Sequence, residues 1–225
     1  MATGNADRYW TQFVQSSSSW SERPRTYYEA FRFGSGATLG APQAEVSRVA
    51  TVVGALVVAG TKTSTASLLW VYEAEGKRPP KVGDLCIVLD GHDRPVCIIE
   101  TTEVKIVPFD EMVDEQFAYE GGEGDRTLES WRRMYGKVIS AQCGRIKREP
   151  TQNVPLVCER FRVIYKACEP PQEILDGVAR NRGEEGLGVE VRSVLVPLRF
   201  SHQERSQLWE QRVHAERGGA GRLQE

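Results

Sequence analysis

The sequence predicts an α+β domain built on a small, strongly curved sheet or barrel with helices covering its ends. Three observations predict it. The candidate strands are short and joined by tight turns, the elements run helix, strand, hairpin, helices, strand, and no internal repeat is visible. Of the 225 residues, 40% are apolar and 27% charged, a balance that supports a buried core rather than disorder.

Each element has its own signal. Asn5 or Asp7 is placed to cap a first helix carrying Tyr9, Trp10, Phe13 and Val14 at helical spacing. Ser16 to Ser19 break it, and residues 24–36 read as an extended linker whose aromatics Tyr27, Tyr28, Phe31 and Phe33 cover a core edge. A second helix begins at Ala41-Pro42, with Val46, Val49, Ala50, Val53, Leu56 and Val57 on one face and Gly60 as its left-handed C-cap. Residues 63–72 then change to a strand pattern. Residues 85–89 and 95–107 read as a strand pair joined by the Asp90-Gly91 turn. A short helix over residues 109–117 follows, then a Gly-rich acidic loop over 120–125. Thr127 opens a helix carrying Leu128, Trp131, Met134, Tyr135, Val138 and Ile139, and residues 154–165 form the last strand.

After Pro170-Pro171 the composition shifts. Residues 181–188 are charged and Gly-rich, 191–200 read as a strand, and Ser201-x-x-Glu204 as a capping box before a helix to Arg217. The expected organisation is an N-terminal helix and linker over residues 1–26 packing on one domain over 27–166, then a partly disordered extension over 167–225.

Composition narrows the function. A net charge of −2 gives no global basic field to draw the protein onto nucleic acid, so RNA contact requires a local patch such as Arg132, Arg133, Lys137, Arg145, Lys147 and Arg148. The first twenty residues lack a secretory pattern. The most apolar stretch, residues 49–59, is far short of the roughly 20 residues of a membrane span. Cys86, Cys97, Cys143, Cys158 and Cys168 are widely spaced, without a CxxC pair, and are expected as reduced thiols in a cytoplasmic protein. With His92, His202 and His214 as the only histidines, no zinc-ligand spacing occurs, and neither metal nor cofactor is expected.

Three groups of residues are suited to chemistry. Lys62 follows a helix C-terminus, where a cation complements the carbonyl dipoles. If it instead points into the barrel mouth among Thr63, Ser64, Thr65 and Ser67, it can hold a phosphate or carbonyl oxygen, or act as base toward a hydroxyl. Lys62 and Thr65 converge only if Lys62 still lies in the turn. Glu120, Glu123 and Asp125 form the second group, with one of Glu100 and Glu103 expected to face the same cavity. The third is Glu159-Arg160-Phe161-Arg162, where alternation puts Glu159 and Phe161 on one side and the arginines on the other, commonly as an ion-pair ladder.

The run from Gly60 to Trp70 (Gly-Thr-Lys-Thr-Ser-Thr-Ala-Ser-Leu-Leu-Trp) is followed by Val82-Gly83-Asp84, Ile99-Glu100-Thr101-Thr102-Glu103-Val104 and Pro108-Phe109. Glu123-Gly124-Asp125-Arg126-Thr127-Leu128 and Val157-Cys158-Glu159-Arg160-Phe161 complete the series. In this order they resemble the ASCH domain family, in its bacterial subgroup with the Ala-Ser-Leu-Leu-Trp motif. The resemblance covers about residues 27–165. It implies a PUA-like small β-barrel with flanking helices and a pocket for a nucleoside or single-stranded RNA. One family member hydrolyses the amide of N(4)-acetylcytidine with a Lys, a Thr and a Glu. By motif position these are Lys62 as base, Thr65 as nucleophile and Glu123 at the leaving amine, with Asp125 as the substitute for Glu123. Gly60, Thr63, Ser64, Ser67, Trp70, Glu100, Asp125 and Arg160 are the implied substrate-binding positions. Two departures stand out: Ser67 replaces the Arg that ends the family's Gly-x-Lys pattern, and Tyr135 replaces a His. The leading expectation is a metal-independent amidohydrolase. The alternatives are a non-catalytic RNA-binding module and a single-strand-specific ribonuclease.

Overall fold

The computed structural model describes residues 2–16, 26–34 and 40–166. The strand and helix expected in the tail, Cys168, His202 and His214 lie outside the described residues.

Helix α1 (Ala2–Gln15) starts ahead of Asn5, so neither Asn5 nor Asp7 caps it; Asp7 instead accepts a hydrogen bond from the Tyr27 hydroxyl at 2.7 Å. Ala6, Tyr9, Trp10 and Phe13 are buried, while Val14 faces out. The segment expected as a linker contains strand β1 (Glu29–Arg32). Four residues are too few for a period to declare itself, and β1 exists because β3 offers it an edge. Helix α2 (Gln43–Val58) follows Pro42 and ends as predicted, with Gly60 left-handed at φ 74°.

Strand β2 (Ser64–Leu68) is shorter than its sequence pattern. Residues 69–75 are helix α3 (Leu69–Glu75), not strand. The reason is the partner: β2 pairs with β5 only as far as Leu68 opposite Leu156, one residue from the start of β5 at Pro155. Without a ladder beyond that point, Leu69, Glu73, Ala74 and Glu75 follow their helical preference.

Strands β3 (Leu85–Leu89) and β4 (Pro95–Pro108) form the expected hairpin, but Gly91 is there for space rather than for turn chemistry. The left-handed residue of the turn is Asp93, at φ 59°, and a Cβ on Gly91 would lie 1.9 Å from the Ser47 carbonyl oxygen of α2. The helix expected over 109–117 resolves into a 3₁₀ turn (Phe109–Glu111) and helix α4 (Glu115–Glu120), whose first turn is capped by Asp114. Helix α5 (Leu128–Arg145) is capped by Thr127, which accepts from Ser130 N. Strand β5 (Pro155–Lys166) closes the fold.

The five strands form one curled sheet in the order β1-β3-β4-β5-β2, with β1 parallel to β3 and every other pair antiparallel. Register shifts between β4 and β5, with Ile164 extra on β5 and Thr102 extra on β4, mark bulges, which sharpen the curl. Helices cover both faces of β3, so all five of its residues are buried. Leu85, Ile87 and Leu89 meet α1, while Cys86 and Val88 share a cluster with Val53 and Val57 of α2. A third cluster joins α4 and α5 to Leu68, Leu156 and Cys158. The curl makes a half-barrel, and β1 and β2 are the two edges it leaves unjoined.

Candidate functional site

A cavity of about 400 Å³ lies at the open seam, lined by β1 on one side and β2 and α5 on the other. Its chemistry begins at the turn after α2. The N–H groups of Thr61 and Lys62 both donate to the Leu56 carbonyl, at 3.0 and 3.1 Å, which folds the chain back over the helix end. Lys62 therefore still lies in the turn and lines the cavity together with Thr65. Its side chain is 2% exposed. Nζ donates to Gly121 O at 3.0 Å and to Glu123 Oε2 at 3.2 Å, and it stands 5.4 Å from the centre of the Phe33 ring. Carbonyl, carboxylate and ring together make up for the lost hydration.

The partner loop needs Gly122. Its φ is 74°, and an added Cβ would fall 2.8 Å from Thr61 O and 2.9 Å from Lys62 Cα. Only glycine lets the loop lie this close to the lysine backbone.

Thr65 sits opposite Glu159 in the β2–β5 ladder, so both side chains project from one face, and both line the cavity. Glu159 accepts from Thr101 Oγ1 at 3.4 Å. Burial pushes its carboxyl up to about 7, helped by the charges of Asp84 and Glu29 and opposed by the Thr101 hydrogen bond. Beside them, Tyr135 accepts from Ala66 N at 2.9 Å and stacks on Trp131 with ring centres 4.1 Å apart. Burial raises the pKa of its hydroxyl, which stays protonated. Ser67 Oγ and the Tyr72 hydroxyl are 2.9 Å apart on the same wall.

Of the sequence-predicted positions, Lys62, Thr65, Glu123 and Ser67 line the cavity. The others are employed elsewhere. Neither Glu100 nor Glu103 faces it: Glu100 accepts two bonds from Arg162, and Glu103 pairs with Arg160. Arg160 lies on the opposite face, where it also holds Glu120 at 2.5 Å and Asp114 at 2.9 Å. The alternation of β5 dictates that: the face that gives Glu159 and Phe161 to the cavity takes Arg160 away from it. Asp125 caps α5, accepting from the backbone N and hydroxyl of Thr127 at 3.0 and 2.7 Å. Ser64 donates to Phe117 O, and Thr63 joins Glu120 and Phe161 through backbone bonds. Trp70 packs against the α4–α5 cluster beneath Arg148, and Gly60 is exposed at the helix end. Glu159, grouped from sequence with an ion-pair ladder, is the cavity residue not expected there; the alternation of β5 already places it on the face away from the arginines.

Four of the six basic residues in and just after α5 are engaged locally, while Lys137 and Lys147 are exposed. Arg145 and Arg148 pair with Glu75 and Glu73 of α3, Arg133 with Glu129, and Arg132 donates to Met112 O. Among the described residues no three His, Cys, Asp or Glu side chains are grouped to hold a metal ion, and no helix is long and apolar enough to cross a membrane.

A family model for the ASCH domain matches residues 42–165. The chain belongs to the ASCH domain family. The ASCH domain of Lactobacillus crispatus JV V101 is 29% identical and superposes with a TM-score of 0.61, over 72% of this chain and 95% of that one. A protein of Enterococcus faecalis V583 is 28% identical with a TM-score of 0.60, over 75% of this chain and 97% of that one. No curated protein matches the sequence. The α+β half-barrel is thus the PUA-like fold of ASCH domains. Both positions at which this ASCH domain departs from the resembled pattern, Ser67 and Tyr135, are cavity residues.

Proposed function

We propose that this ASCH protein binds a nucleoside in the seam cavity and hydrolyses an acyl amide on its base, with N(4)-acetylcytidine as the reference substrate. One observation carries the reading: a threonine hydroxyl and a buried lysine–glutamate pair converge on a single cavity. At about 400 Å³ it falls in the range of small-molecule sites, about 300–1,000 Å³. Phe33, Phe161 and Tyr28 give its lining aromatic surface against which a base can pack.

Amide hydrolysis needs a nucleophile, stabilisation of the carbonyl oxygen and a proton for the departing amine. Thr65 is the nucleophile. Lys62 is better suited to the second task than to the base role that the resemblance implies. An ammonium donating to a carboxylate and a carbonyl keeps a third N–H for a substrate oxygen but has no lone pair to accept a proton. Glu123 orients Lys62 by accepting from Nζ at 3.2 Å, which differs from handling the leaving amine directly.

The test is release of acetate and cytidine from N(4)-acetylcytidine by the full chain, assayed beside short single-stranded RNAs. Turnover is expected with the nucleoside and is abolished in Lys62→Ala. Salt-dependent RNA affinity without turnover would replace the reading with a binding module, and RNA fragments would replace it with a ribonuclease.

A further inference from the structure

Four carboxyl groups line the cavity, and three have a cation. Glu29 pairs with Lys77, Glu75 with Lys77 and Arg145, and Glu123 with Lys62. Arg32, the remaining cation on the wall, pairs with Asp93. Glu159 is left without a cation among the described residues, and it accepts instead from the Thr101 hydroxyl. It also holds the one ladder position directly across from Thr65. Side chains opposite each other in an antiparallel pair have Cβ atoms about 4.5–5.5 Å apart; here the Thr65 hydroxyl is hydrogen-bonded to Tyr135 and Glu159 to Thr101, so the carboxylate reaches Thr65 by turning about its own side-chain torsions.

We propose that Glu159 is the proton shuttle of the site: its carboxylate takes the proton of Thr65 Oγ1 as that oxygen attacks the acyl carbon, and the resulting acid gives the proton to the departing nitrogen. The inference rests on the acyl-amide reading above. In the first step a C–O bond to Thr65 forms, the C–N bond breaks and the amine leaves neutral. In the second, water attacks the acyl-threonine ester, Glu159 takes a proton from the water, and Thr65 Oγ1 leaves with that proton. The products are the carboxylic acid and the free enzyme, and no other reactant is consumed.

The surroundings of Glu159 suit this role. Glu29 faces it from β1, Tyr72 from α3, Asp84 and Cys86 from the start of β3, and Thr101 from β4. Burial keeps Tyr72 and Cys86 neutral, and Asp84 is held by Arg78. A carboxyl raised to about 7 is present in both forms near neutral pH, as alternating base and acid roles require.

The experiment follows acylation of Thr65 in the full chain by p-nitrophenyl acetate, read by peptide mass spectrometry, alongside hydrolysis of N(4)-acetylcytidine. Wild-type acylation is expected to rise with pH through a midpoint near 7. Glu159→Gln is expected to slow it about 100-fold or more and to flatten that profile, while Glu159→Asp restores part of the rate. The unfolding midpoint of each variant establishes that it is folded. Acylation of Glu159→Gln at the wild-type rate, or no Thr65 adduct in the wild type, overturns the inference. If N(4)-acetylcytidine is untouched while Thr65 acylation still depends on Glu159, the substrate reading fails and the shuttle stands. If the nucleoside is hydrolysed equally well by Glu159→Gln, the shuttle fails and the substrate reading stands.

Discussion

Lys62 and Glu123 are 61 residues apart in the chain and meet at 3.2 Å, with side chains 2% and 13% exposed. This contact ties the turn after α2 to the glycine-rich loop before α5. Removing one partner strands the other charge, which costs about 3–5 kcal/mol in a buried pair. Glu123 retains some solvent, so Lys62→Met is expected at the lower end, about 3 kcal/mol. Adding Glu123→Gln to Lys62→Met should recover part of that loss. Urea unfolding of the four proteins of this cycle measures the coupling; additive losses would show that the pair contributes nothing.

Gly122→Ala separates the position of the loop from its charge. The substitution meets both a left-handed backbone and atoms nearer than 3 Å, whereas Gly60→Ala meets the left-handed backbone alone, with open space beyond. Gly60→Ala should cost about 1 kcal/mol. Gly122→Ala should cost clearly more and should also lower turnover of the nucleoside, because Glu123 moves with the loop. Equal losses of stability in the two variants would mean that the close approach is readily relaxed.

Much of the architecture was legible in local pattern. Thr127 as the cap of α5, Gly60 after α2 and the β3–β4 hairpin follow from residue types acting over a few positions. What was illegible depended on partners far away in the chain. Strand β1 exists because β3 has a free edge, and β2 stops where β5 begins. The site divides along the same line. Lys62 and Thr65, which both line the cavity, belong to one short motif. Arg160 is turned away from the cavity by its own strand, and the placing of Glu159 across from Thr65 depends on the register of two strands far apart in the chain.

Tyr135 reaches from α5 to the unjoined edge of the sheet, accepting the Ala66 N–H that no strand takes up. Tyr135→Phe should therefore cost about 1 kcal/mol, the lower end of the penalty for an orphaned donor, since Ala66 is only partly buried. Amide hydrogen exchange at Ala66 should accelerate in the variant while the exchange of α5 amides stays put. Unchanged protection at Ala66 would mean that another acceptor replaces the phenol.

Cys86, Cys97, Cys143 and Cys158 are all buried, and burial raises each thiol above its ordinary range, Cys97 and Cys158 to about 12. Thiolates are the reactive form. Peptide mapping after brief treatment of the native protein with an aromatic disulfide reagent at pH 8 should find these four unlabelled, and labelled once the protein is unfolded. Native labelling of Cys97 would contradict its place on β4, buried in the cluster that α2 covers.

Glu159 also sets a pH dependence of stability. Its folded pKa, about 7, lies above the ordinary 4.5, so between those values the unfolded chain releases a proton that the folded protein keeps. The unfolded state binds fewer protons in that window, and stability falls as pH rises through it. Below 4.5 both states are protonated and nothing is lost; above 7 the loss is complete, about 3 kcal/mol for a shift of this size. Glu159→Gln removes the titrating group while keeping its shape. The variant should match the wild type below pH 4.5 and exceed it by about 3 kcal/mol above pH 7, with the difference growing between. Other carboxylates whose pKa is lowered, such as Asp84 and Asp114, titrate alike in both proteins and cancel from the comparison. A difference in unfolding free energy that stays flat from pH 4 to 8 would mean that Glu159 ionises normally in the fold, and the cavity would then hold a permanent carboxylate beside Thr65.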